Sequence, residues 1–261
     1  MNALDAVFAR CREEDRAALV AYLPAGYPDL DGSLAAVRAV AESGADIVEV
    51  GVPYTDPLMD GPVIEQAAAQ ALAGGFRFHQ VLDVVRAVHE AGAVPVVMSY
   101  WNPVLRHGPA RFAADLAEAG GAGLITPDLI PDEASAWRDA ATQHDLAPIF
   151  LVAPSSTDER LAMTVQACRG FVYVASTMGV TGARDEVGEG AVRLVERTRA
   201  VTDLPLCVGL GVSTGAQAAQ IAAYADGVIV GSALVRAIGQ DPRLDALRTL
   251  TQELAEGVRG R

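Results

Sequence analysis

The chain has 261 residues, 51% of them apolar and 5% aromatic, and a formal net charge of −13. That charge repels polyanions, which excludes nucleic acid as an expected partner. No apolar run approaches the roughly 20 residues of a membrane span, and residues 1–16 are too charged for a signal peptide, so a cytoplasmic protein is expected.

Residues 2–15 place Leu4, Val7, Phe8 and Cys11 at helical spacing, which predicts a leading helix with one apolar face. After it, eight short β-rich runs alternate with Ala-rich helical stretches, at 17–23, 46–50, 95–99, 123–126, 147–151, 171–175, 205–209 and 226–230. Eight repeats of strand then helix predict a single α/β domain over residues 1–261, a closed parallel (β/α)8 TIM barrel with the leading helix plugging its bottom. Strand count alone leaves a doubly wound open sheet as the alternative.

The second run, Asp46-Ile-Val-Glu49-Val, carries a carboxylate at its end and enters a Pro- and Asp-rich loop that reaches Asp60. Two helices, about 62–74 and 77–91 with Gly74-Gly75 between them, fill the stretch before the third strand, so an extra helix follows strand 2. Past the sixth strand, residues 176–188 are polar and Gly-rich, long enough for a lid. Three Gly-rich turns then follow strands in the last third: Gly179 to Gly182, Gly209 to Thr214, and Gly231-Ser232.

Chemistry narrows by elimination. All 20 basic residues are arginine, so no lysine can form a Schiff base with a carbonyl substrate or with pyridoxal phosphate. His79, His89, His107 and His144 read as helical or helix-flanking instead of lying at strand ends, a poor basis for a zinc site. Cys11, Cys168 and Cys207 lack Cys-x-x-Cys spacing and fit buried, reduced thiols.

Carboxylates remain. Glu49 at a strand end and Asp60 before a helix can occupy different surroundings and take different protonation states, as one acid and one base on a single substrate require. Each also has a structural reading, Glu49 as half of an ion pair and Asp60 as a helix-entry residue before Gly61-Pro62. Asp56 in Thr-Asp-Pro reads as a turn former.

In a barrel, the loops after the last strands and a short helix N-terminus can bind phosphate through backbone amides. Such a site needs no Lys or Arg, so an acidic chain can still hold an anion. Tyr22, Tyr100 and Tyr173 fall at or just past strand ends on the same side, where they could line a pocket for a planar aromatic ligand or pack as ordinary core.

The order of Glu49-Val-Gly-Val-Pro-Tyr-Thr-Asp-Pro-Leu-Met-Asp60-Gly-Pro, Met178-Gly-Val-Thr-Gly-Ala, Gly209-Leu-Gly-Val-Ser and Val-Gly231-Ser-Ala resembles the tryptophan synthase α-subunit family from about residue 5 to residue 255. The resemblance implies a lyase of tryptophan biosynthesis. It would cleave indole-3-glycerol phosphate to indole and glyceraldehyde 3-phosphate in a retro-aldol step, with no metal or organic cofactor.

It also implies a β subunit as partner, in an α2β2 heterotetramer that passes indole onward. By the same resemblance Glu49 is the acid and base, and Asp60 holds the indole N–H. Gly182, Gly211, Gly231 and Ser232 bind phosphate, Tyr22, Tyr100 and Tyr173 line the pocket, and Thr181 closes over Asp60. Two positions depart from the commoner family pattern: Tyr27 where many relatives carry Asp, and Ile130 where proline is frequent.

Three other readings compete. They are a stand-alone lyase that releases indole to solvent, a phosphosugar isomerase or epimerase barrel with the same phosphate site, and a non-catalytic regulator that only binds a partner.

Overall fold

The computed structural model describes residues 2–175, 189–209 and 211–260. The leading helix, α1 (Ala3–Glu13), is set by a capping box in which the Asn2 side chain accepts from the Leu4 amide and the Asn2 amide donates to Asp5. Both bonds satisfy amides that the helix itself leaves without partners.

The chain then alternates strand and helix. It runs through β1 (Ala18–Pro24), α2 (Leu30–Glu42), β2 (Ile47–Gly51), α3 (Pro62–Ala73), α4 (Val81–Glu90) and β3 (Val94–Met98). Next come α5 (Trp101–His107), α6 (Pro109–Glu118), β4 (Gly123–Ile125), α7 (Ser135–Gln143), β5 (Ala147–Ile149), β6 (Leu151–Val152) and α8 (Asp158–Ala167). The last part holds β7 (Val172–Ala175), α9 (Glu189–Arg199), β8 (Leu206–Gly209), α10 (Gly215–Ala222), β9 (Gly227–Val230), α11 (Ser232–Gln240) and α12 (Asp245–Gly257).

All described strand pairs are parallel, in the order β5-β4-β3-β2-β1-β9-β8-β7-β6. The two ends of that order, β5 and β6, are one continuous run interrupted only at Phe150. The Phe150 carbonyl accepts from the Tyr173 amide, and the Ile149 carbonyl from Thr126. The sheet therefore closes on itself, and the open doubly wound alternative falls away. The fifth expected strand, 147–151, appears as two ladder segments, because closure makes its first half pair with β4 and its second with β7. The expected helix at 77–91 begins as a 3-10 turn over Phe78–Gln80 before α4 takes over.

Strand side chains alternate between the barrel interior and the helix layer. Val20, Ile47, Val96, Ile125, Ile149, Phe171, Cys207 and Ile229 fill the interior, and Leu4, Val7, Phe8 and Cys11 of α1 join the same buried cluster. The Phe8 and Phe171 rings meet edge to face at 5.9 Å. Arg16 and Asp46, both buried, pair through two hydrogen bonds of 2.8 Å beside α1. The expected plug is therefore present, sealing the end where strands begin and leaving the opposite end to carry loops.

Candidate active site

The register of the first strands decides what faces the open end. Tyr22 pairs with Glu49, and Glu49 with Val96. Since Ile47 and Val96 point inward, Glu49 does too, one step above the apolar layer. It has no solvent exposure, and neither carboxylate oxygen has a hydrogen-bond partner among the described residues. A buried polar group with no partner is rare in a folded protein and marks a site built for something else to arrive. Burial, and then the nearby Asp60 charge, push the Glu49 carboxyl up to about 8.

Two glycines make room around it. A Cβ on Gly51 would collide with the Tyr22 hydroxyl, and one on Gly209 would stand 2.8 Å from the Tyr173 hydroxyl. Only the bare backbone at these strand ends lets both rings lie inside the barrel mouth. Burial raises both phenols well above their ordinary value, and the Glu49 and Asp60 charges raise them further.

A cleft partly open to solvent joins these groups. Tyr22, Glu49, Asp60, Tyr173, Gly211, Gly231 and Ser232 line it, along with Met59, Ile64, Met98, Ala175, Gly209 and Ile229. It has the make-up of an ordinary small-molecule site, with an apolar wall and a few convergent polar groups. Thr181 and Gly182 lie outside the described residues.

Tyr100 is placed differently from the other two tyrosines. It is buried and does not line the cleft. Its hydroxyl accepts from the Leu58 and Met59 amides at 2.9 and 3.0 Å and donates to Asp60 Oδ1 at 3.3 Å. Tyr54 packs on its ring at 5.2 Å. Asp60 is therefore held by a loop pinned to one phenol. Burial raises the Asp60 carboxyl, the Tyr100 hydrogen bond lowers it, and Glu65 raises it.

The helix starts that follow β8 and β9 differ in a way that spacing alone does not reveal. At α10 the amides are already engaged: Gln217 with Thr214, Ser213 with the Gln217 side chain, and Gly215 with Glu253. At α11 the cap is Gly231, with no side-chain hydrogen bond. Free first-turn amides together with the helix dipole attract an anion. Gly211, at φ 64°, turns the β8 loop toward the same space.

Met59, Ile64, Met98 and Ile229 were not singled out from the sequence. Inward alternation from Val96 to Met98, and from Gly227 through Ile229 to Gly231, is the signal that would have found two of them. Asp56 is exposed and accepts from the Thr55 hydroxyl in the turn it was expected to form. Tyr27 packs partly buried against the outer core, and Ile130 is exposed. Among the described residues, no group of three or more His, Cys, Asp and Glu side chains could hold a metal ion.

Comparison with known proteins agrees over nearly the whole chain. The family profile described as tryptophan synthase alpha chain matches residues 8–259. A tryptophan synthase alpha chain of Nocardia farcinica is 66% identical over 252 residues, covering 97% of this chain and 94% of that protein. One from Mycobacterium avium is 62% identical, covering 99% and 95%. A tryptophan synthase structure from Mycobacterium tuberculosis superposes with a TM-score of 0.95 at 62% identity, covering 98% of both chains. The α subunit structure from Legionella pneumophila gives 0.89 at 31% identity, covering 100% of both.

Proposed function

The chain belongs to the tryptophan synthase alpha chain family, and from that premise we propose that Glu49 and Asp60 are the two carboxylates through which it works. The reaction is the cleavage of indole-3-glycerol phosphate, a lyase step of tryptophan biosynthesis. The observation that carries the assignment is the buried Glu49 carboxyl, with no partner among the described residues, facing a cleft that Asp60 shares.

A carboxyl pushed up to about 8 is protonated at neutral pH. In this reading Glu49 delivers that proton to the ring carbon bearing the glycerol chain, and the ring nitrogen becomes cationic. Asp60, ionised, sits against the N–H and offsets the charge. The Glu49 carboxylate then accepts the proton of the adjacent side-chain hydroxyl as the carbon–carbon bond breaks. Its electron pair returns to the ring and restores indole, a carbonyl forms on glyceraldehyde 3-phosphate, and Glu49 is again protonated. Proton transfer supplies roughly 10²–10⁴-fold, so orientation must supply much of the rest.

Orientation falls to the phosphate end. Gly211, Gly231 and Ser232 form the cradle in this reading, because among the described residues no side chain caps α11, whereas side chains occupy amides at the start of α10. Gly182 joins them and Thr181 closes over Asp60 by resemblance to the family. Tyr22 and Tyr173, with Met98 and Ile64, provide the apolar walls for the indole ring.

The chain is read as one catalytic domain over residues 1–261, working in the cytoplasm. Its three buried free cysteines fit a reducing compartment. Among the described residues, no helix is long and apolar enough to cross a membrane. The partner is a tryptophan synthase β subunit, in an α2β2 heterotetramer that receives the indole. Supporting this, Leu58, Leu105 and Ile130 are 74%, 53% and 43% exposed, on segments tied together at the open end of the barrel. Exposed large apolar side chains grouped in one region suit a protein interface.

The test is release of indole from indole-3-glycerol phosphate, with and without a β subunit. Release that accelerates with the partner is the expected result. An unchanged rate would favour the stand-alone lyase, and no release at all would refute the reading.

A further inference from the structure

The loop that carries Asp60, residues 52–61, forms no helix or strand. Among the described residues, one hydroxyl, that of Tyr100, binds two loop amides and the Asp60 carboxylate. What places that hydroxyl therefore also places Asp60.

Tyr100 is the cap residue of α5, but its own side chain is turned toward the loop and makes no cap bond to the helix. The free amide of the first turn, Trp101, instead donates to the Asp128 carboxylate, at 2.8 Å to Oδ1 and 3.1 Å to Oδ2. Asp128 belongs to the loop between β4 and α7, remote in sequence from both Tyr100 and Asp60. Burial raises its carboxyl, and the Trp101 amide pulls it back down. Although Asp128 is exposed, both of its oxygens lie within hydrogen-bond distance of that one amide, which aims the carboxylate at the start of α5.

We propose that Asp128 is a positioning residue for the reaction: by clamping the Trp101 amide it fixes Tyr100, and through the Tyr100 hydroxyl it fixes Asp60 against the substrate. Asp128 touches no substrate in this account. The inference rests on the reading of Asp60 given above. Without the clamp, the start of α5 loses a charge-assisted cap, the phenol moves, and the bonds it makes to Leu58, Met59 and Asp60 are lost.

Such a role leaves a trace that simple destabilisation does not. The Tyr100 hydrogen bond keeps Asp60 ionised to lower pH, against burial and the Glu65 charge. Tyr22, Glu49 and Tyr173 also face Asp60 across the cleft, from β1, β2 and β7, and none of them touches Asp128. Losing the bond raises the Asp60 pKa, so activity should fall away at a higher pH on the acid side.

The experiment measures kcat, KM and the acid limb of kcat/KM for indole-3-glycerol phosphate in Asp128→Ala, Asp128→Asn, Tyr100→Phe and the Asp128→Ala/Tyr100→Phe double variant. Asp128→Ala should lower kcat by about tenfold to a hundredfold and move the acid limb upward, in the direction Tyr100→Phe moves it. The double variant should do no more than Tyr100→Phe alone, since the path is shared. Asp128→Asn keeps an acceptor oxygen for Trp101 and should recover most of the rate. Should Asp128→Ala not fold, Asp128→Ser carries the same comparison.

An acid limb that stays in place, losses that multiply in the double variant, or an Asp128→Ala enzyme equal to wild type would overturn the proposal. If Asp60→Asn is at the same time severely impaired, only this inference fails. If Asp60→Asn is near normal, the reading beneath it has failed.

Discussion

Replacing Glu49 by glutamine should make the protein more stable in a way that grows with pH. In the folded chain the Glu49 carboxyl sits at about 8 against an ordinary value of 4.5, because burial and Asp60 oppose its charge. The folded state therefore binds this proton more tightly than the unfolded state does. That contribution to stability is complete below about pH 4.5 and is lost as pH rises to about 8.

The full difference is on the order of 5 kcal/mol, and the slope between the two values is about 1.4 kcal/mol per pH unit. Glutamine has the same shape and leaves a similar uncharged polar group buried. Comparing the two proteins at two pH values therefore cancels everything but the ionisation. Urea unfolding at pH 5.5 and 7.5 should show the advantage of Glu49→Gln growing by about 3 kcal/mol. Stability curves that run parallel across that interval would refute the claim that Glu49 is neutral in the resting protein, and with it the claim that it can serve as the acid.

Other substitutions probe the remaining parts. Asp60→Asn should slow cleavage by about 10²–10³-fold, since an amide cannot offset a cationic ring nitrogen; steady-state indole release measures it, and near-normal turnover would remove Asp60 from the mechanism. Gly231→Val would press on the Tyr22 ring, 3.2 Å from the first added carbon, and narrow the amide cradle. Its kcat/KM should drop by at least about tenfold, with weaker binding of glyceraldehyde 3-phosphate by calorimetry, whereas unchanged product affinity would move the phosphate elsewhere. Leu105→Glu and Ile130→Glu should each weaken β-subunit binding by about tenfold or more while the isolated chain cleaves substrate as before. Unaltered association in sedimentation would show that the partner docks on another face.

The barrel was legible because each strand is a short Val- and Ile-rich run ended by glycine or a turn, the pattern of strands buried on both sides. Closure was less so. Only the pairing of Ala147–Ile149 to one side and Leu151–Val152 to the other shows it, and no local pattern encodes a ring. Glu49 stood out because a carboxylate at the end of a buried strand is costly without a purpose, and Asp60 because it closes the loop that leaves that strand.

The part played by Tyr100 could not be read from the chain. Position at a strand end gave the three tyrosines the same standing, and the direction of each ring is fixed by what surrounds it. Gly51 and Gly209 admit Tyr22 and Tyr173 into the mouth, while α5 turns Tyr100 toward the Asp60 loop. The difference between the α10 and α11 starts was hidden for a similar reason. Gln217 and Glu253 occupy the α10 amides from places that spacing does not mark as caps.

The most direct measurement is cleavage and binding in one protein: Glu49→Gln with indole-3-glycerol phosphate and with glyceraldehyde 3-phosphate. The account predicts no detectable indole while the phosphate product binds as tightly as to the unaltered chain, because the proton is lost and the cradle is not. Substantial turnover by Glu49→Gln would mean that the ring carbon receives its proton from another group.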